Sequence, residues 1–127
     1  MENINTFNKK ERLCGEVRIN ELFGKGKAFT VFPFRVVFRR KDKGETPASI
    51  LISVPKKRIK RANGRNLIKR RIREAYRLNK HSLYATLENR DFSLDFALLY
   101  IADERLDYAQ IEPKIIEVIQ RLNKRLQ

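Results

Sequence analysis

Tryptophan is absent from this 127-residue chain, and cysteine, histidine and methionine occur once each. A lone Cys14 closes no internal disulfide and builds no multi-cysteine zinc site, so its expected place is the core. A lone His81 leaves no histidine pair for the general acid and base of a metal-free ribonuclease. Its expected place is a helix end on the surface. No apolar run approaches the roughly 18 residues of a membrane span, and the opening MENINTFNKKER lacks the apolar core of a signal peptide. A cytoplasmic chain is the expectation. Acid is also scarce: 15 Asp and Glu stand against 29 Lys and Arg, for a net charge of +14. Such a balance calls for a polyanionic partner, nucleic acid or an anionic membrane. With 42% hydrophobic residues and five Gly the chain reads as globular. Its length suits one domain, 1–127, with residues 1–10 loose.

The positive charge is concentrated. From Lys56 to Arg77 there are eleven Lys or Arg and one acid, Glu74, so this window carries +10 of the +14. Set on a helix, Lys69, Arg73, Asn66, Arg77 and Arg70 fall within about a third of the circumference. Ile68, Ile72, Ala75 and Tyr76 fall on the opposite side. That is an amphipathic helix with an apolar stripe and a cationic face. Asn63 is the expected N-cap, followed by Gly64. Arg65 in the first turn opposes the helix macrodipole. The pairs Arg65/Lys69 and Lys69/Arg73 repel by about 0.2–0.5 kcal/mol each. A merely solvated face would interleave Glu with Lys. A bound polyanion reverses the sign of both penalties.

Around this helix the pattern predicts an α+β chain. A first helix runs from about Glu11 to Phe23, carried by Leu13, Val17, Leu22 and Phe23 with Ile19 near the seam, and ends at Gly24 and Gly26. Gly24-Lys25-Gly26-Lys27 reads as a turn, since it lacks the length and the Lys-Ser/Thr ending of a phosphate loop. Phe29 to Arg39 alternates as a strand broken into two pieces at Pro33. Lys41 to Pro47 reads as a hairpin connection, and Ala48 to Val54 as the next strand. The basic helix extends to about Lys80, and 81–93 shows no clear element. Leu94 to Ala102 is apolar on both faces and suits a strand covered on both sides. A last helix starts near Asp107, with Ile111, Ile115, Val118, Ile119 and Leu122 as its stripe and Pro113 tolerable in its first turn.

The run Arg65-Asn66-Leu67-Ile68-Lys69-Arg70-Arg71-Ile72-Arg73-Glu74 resembles the motif of the bacterial ribonuclease P protein subunit, Arg-Asn-Arg-x-Lys-Arg-x-x-Arg-Glu. Ser53-Val54-Pro55-Lys56-Lys57 is similar to the strand end that precedes it in that family. Leu67 departs from the pattern, standing where the family has its second Arg. The resemblance runs from about Arg12 to near the C-terminus. It implies a two-layer sandwich of about four strands and three helices, with a left-handed βαβ crossover through the basic helix. It also implies a protein that assists a catalytic RNA in removing the 5′ leader of precursor tRNA. The RNA subunit would supply the Mg²⁺ chemistry, with no cofactor held by the protein alone. By position, Arg65, Asn66, Lys69, Arg70 and Arg73 match the motif and Lys56 and Lys57 match the strand end. Arg58, Lys60 and Arg61 extend the cationic surface. Ile19, Phe23, Val37 and Ser53 fall at positions lining a leader groove, expected between the basic helix and the sheet. Ile19 and Val37 are aliphatic where two of those positions normally carry aromatics, which reduces base stacking there.

No catalytic set of the chain's own emerges. Asp103, Glu104 and Asp107 cluster in an expected strand-to-helix turn, where capping and the helix dipole account for acids without a metal. Asp91 and Asp95 read the same way. No catalytic or metal-ligating residue is therefore assigned. The competing readings are a ribosomal or RNA-chaperone protein, which shares the composition but not the ordered motif, and a stand-alone nuclease. Membrane anchoring by the basic helix is poor, because its apolar face is narrow and lacks tryptophan.

Overall fold

A computed structural model of the chain describes Phe7 and residues 9–127. A 3₁₀ turn, Lys9–Glu11, leads into α1 (Glu16–Lys25), β1 (Lys27–Val31), β2 (Phe34–Asp42) and β3 (Ala48–Ser53). Then follow α2 (Ala62–Asn79), α3 (His81–Glu88), β4 (Phe92–Tyr100) and α4 (Tyr108–Arg125). The expectation of a loose 1–10 lies largely outside the described residues. Within them, Phe7 packs on the core, edge-on to Tyr76 with ring centroids 6.0 Å apart.

The four strands lie in the order β1-β2-β4-β3, with β3 parallel to β4 and the other neighbours antiparallel. β4 therefore occupies the centre. Six consecutive residues of it, Ser93 to Leu98, are buried, as a strand covered on both faces requires. Because β4 lies between β2 and β3, the 43–47 connection is not a hairpin: it carries the chain past the site that β4 fills later. A parallel pair needs a crossover, and α2 with α3 supplies it.

Alternation sorts the strand residues to two faces. Val36, Phe38, Ile50, Phe96 and Leu98 join Ile68, Ile72, Ala75 and Tyr76 of α2 and the whole predicted stripe of α4 in the main core. Leu83 and Leu87 bring α3 onto the same side. Val37 and Ala97, facing the other way, meet Leu13 and Leu22, so α1 covers part of the far face. The result is two main layers with α1 behind the sheet.

Several local expectations are corrected. α1 starts at Glu16 rather than Glu11, and Val17 is 71% exposed because the stripe on so short a helix narrows to Ile19 and Leu22. Cys14 is exposed, in the extended stretch before α1, while Leu13 beside it takes the buried position. Gly24 lies inside α1, and Gly26 closes it. A side chain at Gly26 would run into the backbone oxygens of Leu22 and Phe38. α2 begins two residues earlier than expected: Arg61 is the N-cap and Asn63 is already helical, so Asn63 makes no cap. α3 forms where no element was expected, since Leu83 and Leu87, four apart, suffice to dock two turns. Asp107 caps α4 in a full capping box with Gln110. Pro113 is the sixth residue of α4, beyond the first turn. It and Ala109, whose carbonyl loses its donor, both face solvent.

Candidate nucleic-acid interface

α2 would not hold its charge alone. The like-charged pairs cost about 0.2–0.5 kcal/mol each. Full burial of Ile68 and Ile72 contributes roughly 1.5–3 kcal/mol each, before counting Tyr76. The apolar stripe therefore outweighs the repulsion and presents the cations on a fixed frame. Its first turn contains no acid.

One row of that face is Arg65, Lys69 and Arg73, and its Arg73 end reaches the β3 edge of the sheet. Arg73 is half-buried and close to Arg12, and Arg12 bridges Ile50 of β3. Burial first, and then the Arg12 charge, push the Arg73 pKa down. The group stays a cation at neutral pH, held where it lacks an anion. Asn66 and Arg70 are exposed on the outer side of the helix.

The 54–61 segment joins β3 to α2 and adds Lys56, Lys57, Lys60 and Arg61, all exposed. Arg65 fixes this segment: its Nη1 donates to the carbonyls of Ile59 at 3.0 Å and Lys60 at 2.7 Å. Arg65 is thus a positioning group as well as a candidate contact. Arg58 has a carboxylate partner, its Nη1 bonded to Asp103 Oδ1 at 3.1 Å. Such a surface pair is worth at most about 1 kcal/mol, which a phosphate can outbid. The structure thus brings the ten cationic-surface candidates together on α2 and the turn before it.

The four groove candidates lie elsewhere. Ile19 and Phe23 are on α1, Val37 is in β2, and Ser53 ends β3. Val37 and Ile19 belong to the small core under α1, on the face opposite α2. A groove between α2 and the sheet does not exist, because Ile68, Ile72 and Tyr76 fill that space. The open surface lies between α1 and the sheet. Its floor is the register row Thr30–Arg35–Leu99–Ser53, with Thr30 and Arg35 exposed and Leu99 and Ser53 half-buried. Val37, one row away, is 6% exposed and is core. Phe23 of α1, 45% exposed, is the aromatic among the four candidates and remains accessible. Arg35 was missed by pattern reading because its alternation marked it only as the outward side of a strand. The row ends at Ser53, three residues before Lys56, so floor and cationic turn are continuous along the chain.

The carboxylates have visible structural work. Asp107 caps α4, and Asp103 faces Arg58. Asp95, expected in a cap or turn, is instead buried in β4 and bonded to Arg18 of α1 at 2.6 Å. Arg39 holds Glu21 of α1 at 2.7 Å and keeps its carboxyl below the usual range. Together these two pairs tie α1 to the sheet. Glu11 is paired with buried Lys80 at 2.7 Å. His81 opens α3, half-buried. Among the described residues no group of three or more His, Cys, Asp or Glu is arranged to hold a metal ion. No helix among them is long and apolar enough to cross a membrane.

Comparison with known proteins places the chain in a family context. The sequence profile of the family described as Ribonuclease P matches residues 7–123. A ribonuclease P protein component from Porphyromonas gingivalis is 45% identical over 107 residues, covering 84% of this chain and 78% of the relative. One from Petrotoga mobilis is 28% identical over 124 residues, covering 92% and 95%. The fold is similar to the solved Thermotoga maritima RNase P protein, with a TM-score of 0.68 and 26% identity over 87% of this chain and 96% of that one. It is also similar to the Staphylococcus aureus RNase P protein, with a TM-score of 0.66 and 22% identity over 92% and 98%.

Proposed function

As this chain belongs to the ribonuclease P protein component family, we propose that it binds the catalytic RNA of that ribonucleoprotein through α2 and the 54–61 turn, and the 5′ leader of precursor tRNA between α1 and the sheet. The observation that carries this reading is the Arg65, Lys69, Arg73 row. It is a cationic ridge with no acid in the first turn of its helix, held by the core against its own repulsion. A polyphosphate chain converts each of those penalties into attraction and releases condensed counterions.

The division of labour follows from the residues. Lys56, Lys57, Lys60 and Arg61 are mobile point charges and forks that neutralise phosphates without reading sequence. Arg70 and Asn66 extend the same contact outward. Across the sheet, Arg35 and Ser53 offer polar contacts to a single strand, and Phe23 offers one stacking face. With Ile19 and Val37 packed under α1, the groove grips more by charge and shape than by stacking. Mg²⁺ and the hydrolytic step belong in this reading to the RNA subunit. The chain's own part is to raise substrate affinity by neutralising phosphates near the cleavage site.

The test is processing of precursor tRNA by the cognate catalytic RNA at low Mg²⁺, with and without the protein. Faster leader release with the protein is expected, and no cleavage by the protein alone after exhaustive removal of RNA. Equal rates with and without it would favour an RNA chaperone. Cleavage by the protein alone would make it a nuclease in its own right.

A further inference from the structure

Gly64 sits in the first turn of α2 but has no unusual backbone angle; the positive-φ glycine of the described chain is Gly15. Glycine inside a helix is destabilising relative to alanine, and conformational freedom does not account for this one. Space does. A Cβ at Gly64 would lie 2.8 Å from Nε and Nη2 of Arg105 and 2.9 Å from its Cζ. The guanidinium thus lies across the spot where a side chain would begin, and Gly64 is buried although it starts a surface helix.

Arg105 belongs to the loop between β4 and α4, and that loop is clamped on both sides of it. The Tyr100 hydroxyl donates to the Glu104 carbonyl at 2.6 Å and accepts from the Leu106 N–H at 3.2 Å. Arg71 of α2 donates to the Leu106 carbonyl at 2.6 Å. Asp103 is engaged by Arg58, and Asp107 by its capping box. Among the described residues no carboxylate pairs with Arg105, whose side chain is exposed. An unpaired cation is therefore held by a clamped loop against the first turn of α2, at Gly64, the residue before Arg65. The free protein gains no electrostatic advantage from it.

We propose that Arg105 is a further RNA-phosphate contact of this surface, and that Gly64 is the seat that aims it. This rests on the RNA-binding reading above and adds a third chain segment to the interface. Pattern reading could not find it, since Arg105 lies 28 residues beyond Arg77 in a run of acids.

The seat makes the two residues testable as a unit. In Gly64→Ala the new methyl meets the far end of a flexible side chain, so the helix folds and Arg105 is displaced. Wild type, Gly64→Ala, Arg105→Ala and the double variant are compared for binding to the cognate ribonuclease P RNA and, separately, to precursor tRNA. Circular dichroism melts check the fold. Each single variant is expected to weaken binding about three- to tenfold to at least one RNA, and Arg105→Ala to make the log–log salt slope shallower by about 0.9. The double variant is expected to match Arg105→Ala alone. Full affinity in Arg105→Ala for both RNAs, while a Lys69→Gln/Arg73→Gln control binds weakly, overturns this inference and leaves the function standing. A control that also binds at full strength removes both. Full affinity in Gly64→Ala, or a further loss in the double variant, overturns the seating role.

Discussion

Replacing Lys69 and Arg73 together by Gln separates binding from folding, because the same charges act in opposite directions on the two. The substitution removes three like-charged i,i+4 pairs on α2: Arg65/Lys69, Lys69/Arg73 and Arg73/Arg77. At about 0.2–0.5 kcal/mol each, their loss stabilises the free protein by roughly 0.6–1.5 kcal/mol. Relief of the half-buried Arg73 beside Arg12 acts in the same direction. Gln has nearly the helix propensity of Lys and Arg, so the backbone is indifferent. The melting temperature should rise by roughly 2–6 °C for a domain of this size. Binding should do the reverse. Two phosphate contacts release about 0.7–0.9 counterions each, which predicts an affinity on the order of ten- to a hundredfold weaker near 0.1 M salt. Fluorescence anisotropy with labelled RNA and thermal melts on the same samples read both quantities. A variant that melts earlier, and loses affinity only to the extent that it unfolds, would show that these residues hold the fold and would refute the reasoning.

Three further outcomes follow from the ion pairs and caps. Glu21, Glu45 and Glu74 are held below the usual carboxylate range by hydrogen bonds from Arg39, Lys10 and Arg77. Depressed folded values mean that the unfolded chain binds more protons there, so urea midpoints should fall as pH drops below about 4.3. Tyr108, which burial and then its bond to Glu112 push up to about 12, and the raised Tyr76 and Tyr100 predict a second loss as pH climbs above roughly 10. Lys80→Met should cost about 3–5 kcal/mol by stranding buried Glu11, and the Glu11→Leu/Lys80→Met double less than Lys80→Met alone, read as urea midpoints. Asp107→Ala should cost about 1 kcal/mol in the same assay by opening the capping box of α4.

What could be read in advance divides along the range of the forces involved. The α4 stripe from Ile111 to Leu122 is buried as its spacing predicts, and the break at Pro33 does separate two strands. Both are local: a period and a missing donor. The cationic face of α2 was legible for the same reason. The errors concern partners far along the chain. β4 enters between β2 and β3 only after two helices, so the 43–47 connection looked like a hairpin. The groove between α2 and the sheet is an expectation of the family resemblance, while the face under α1 is marked only by Val37 and Ala97, which alternation alone cannot assign to a helix 12 or more residues away. Asp95 looked like a turn acid because its partner, Arg18, is 77 residues distant. Arg105 was invisible for the same reason: its seat is at Gly64.

The salt dependence of binding is the most direct measurement of the central claim. Affinity of the protein for its cognate ribonuclease P RNA, followed from about 50 to 200 mM monovalent salt, should fall with a log–log slope near −4 to −5, as expected for about six phosphates neutralised by the α2 surface. A slope between about 0 and −1 would mean that the cationic ridge is not what holds the RNA.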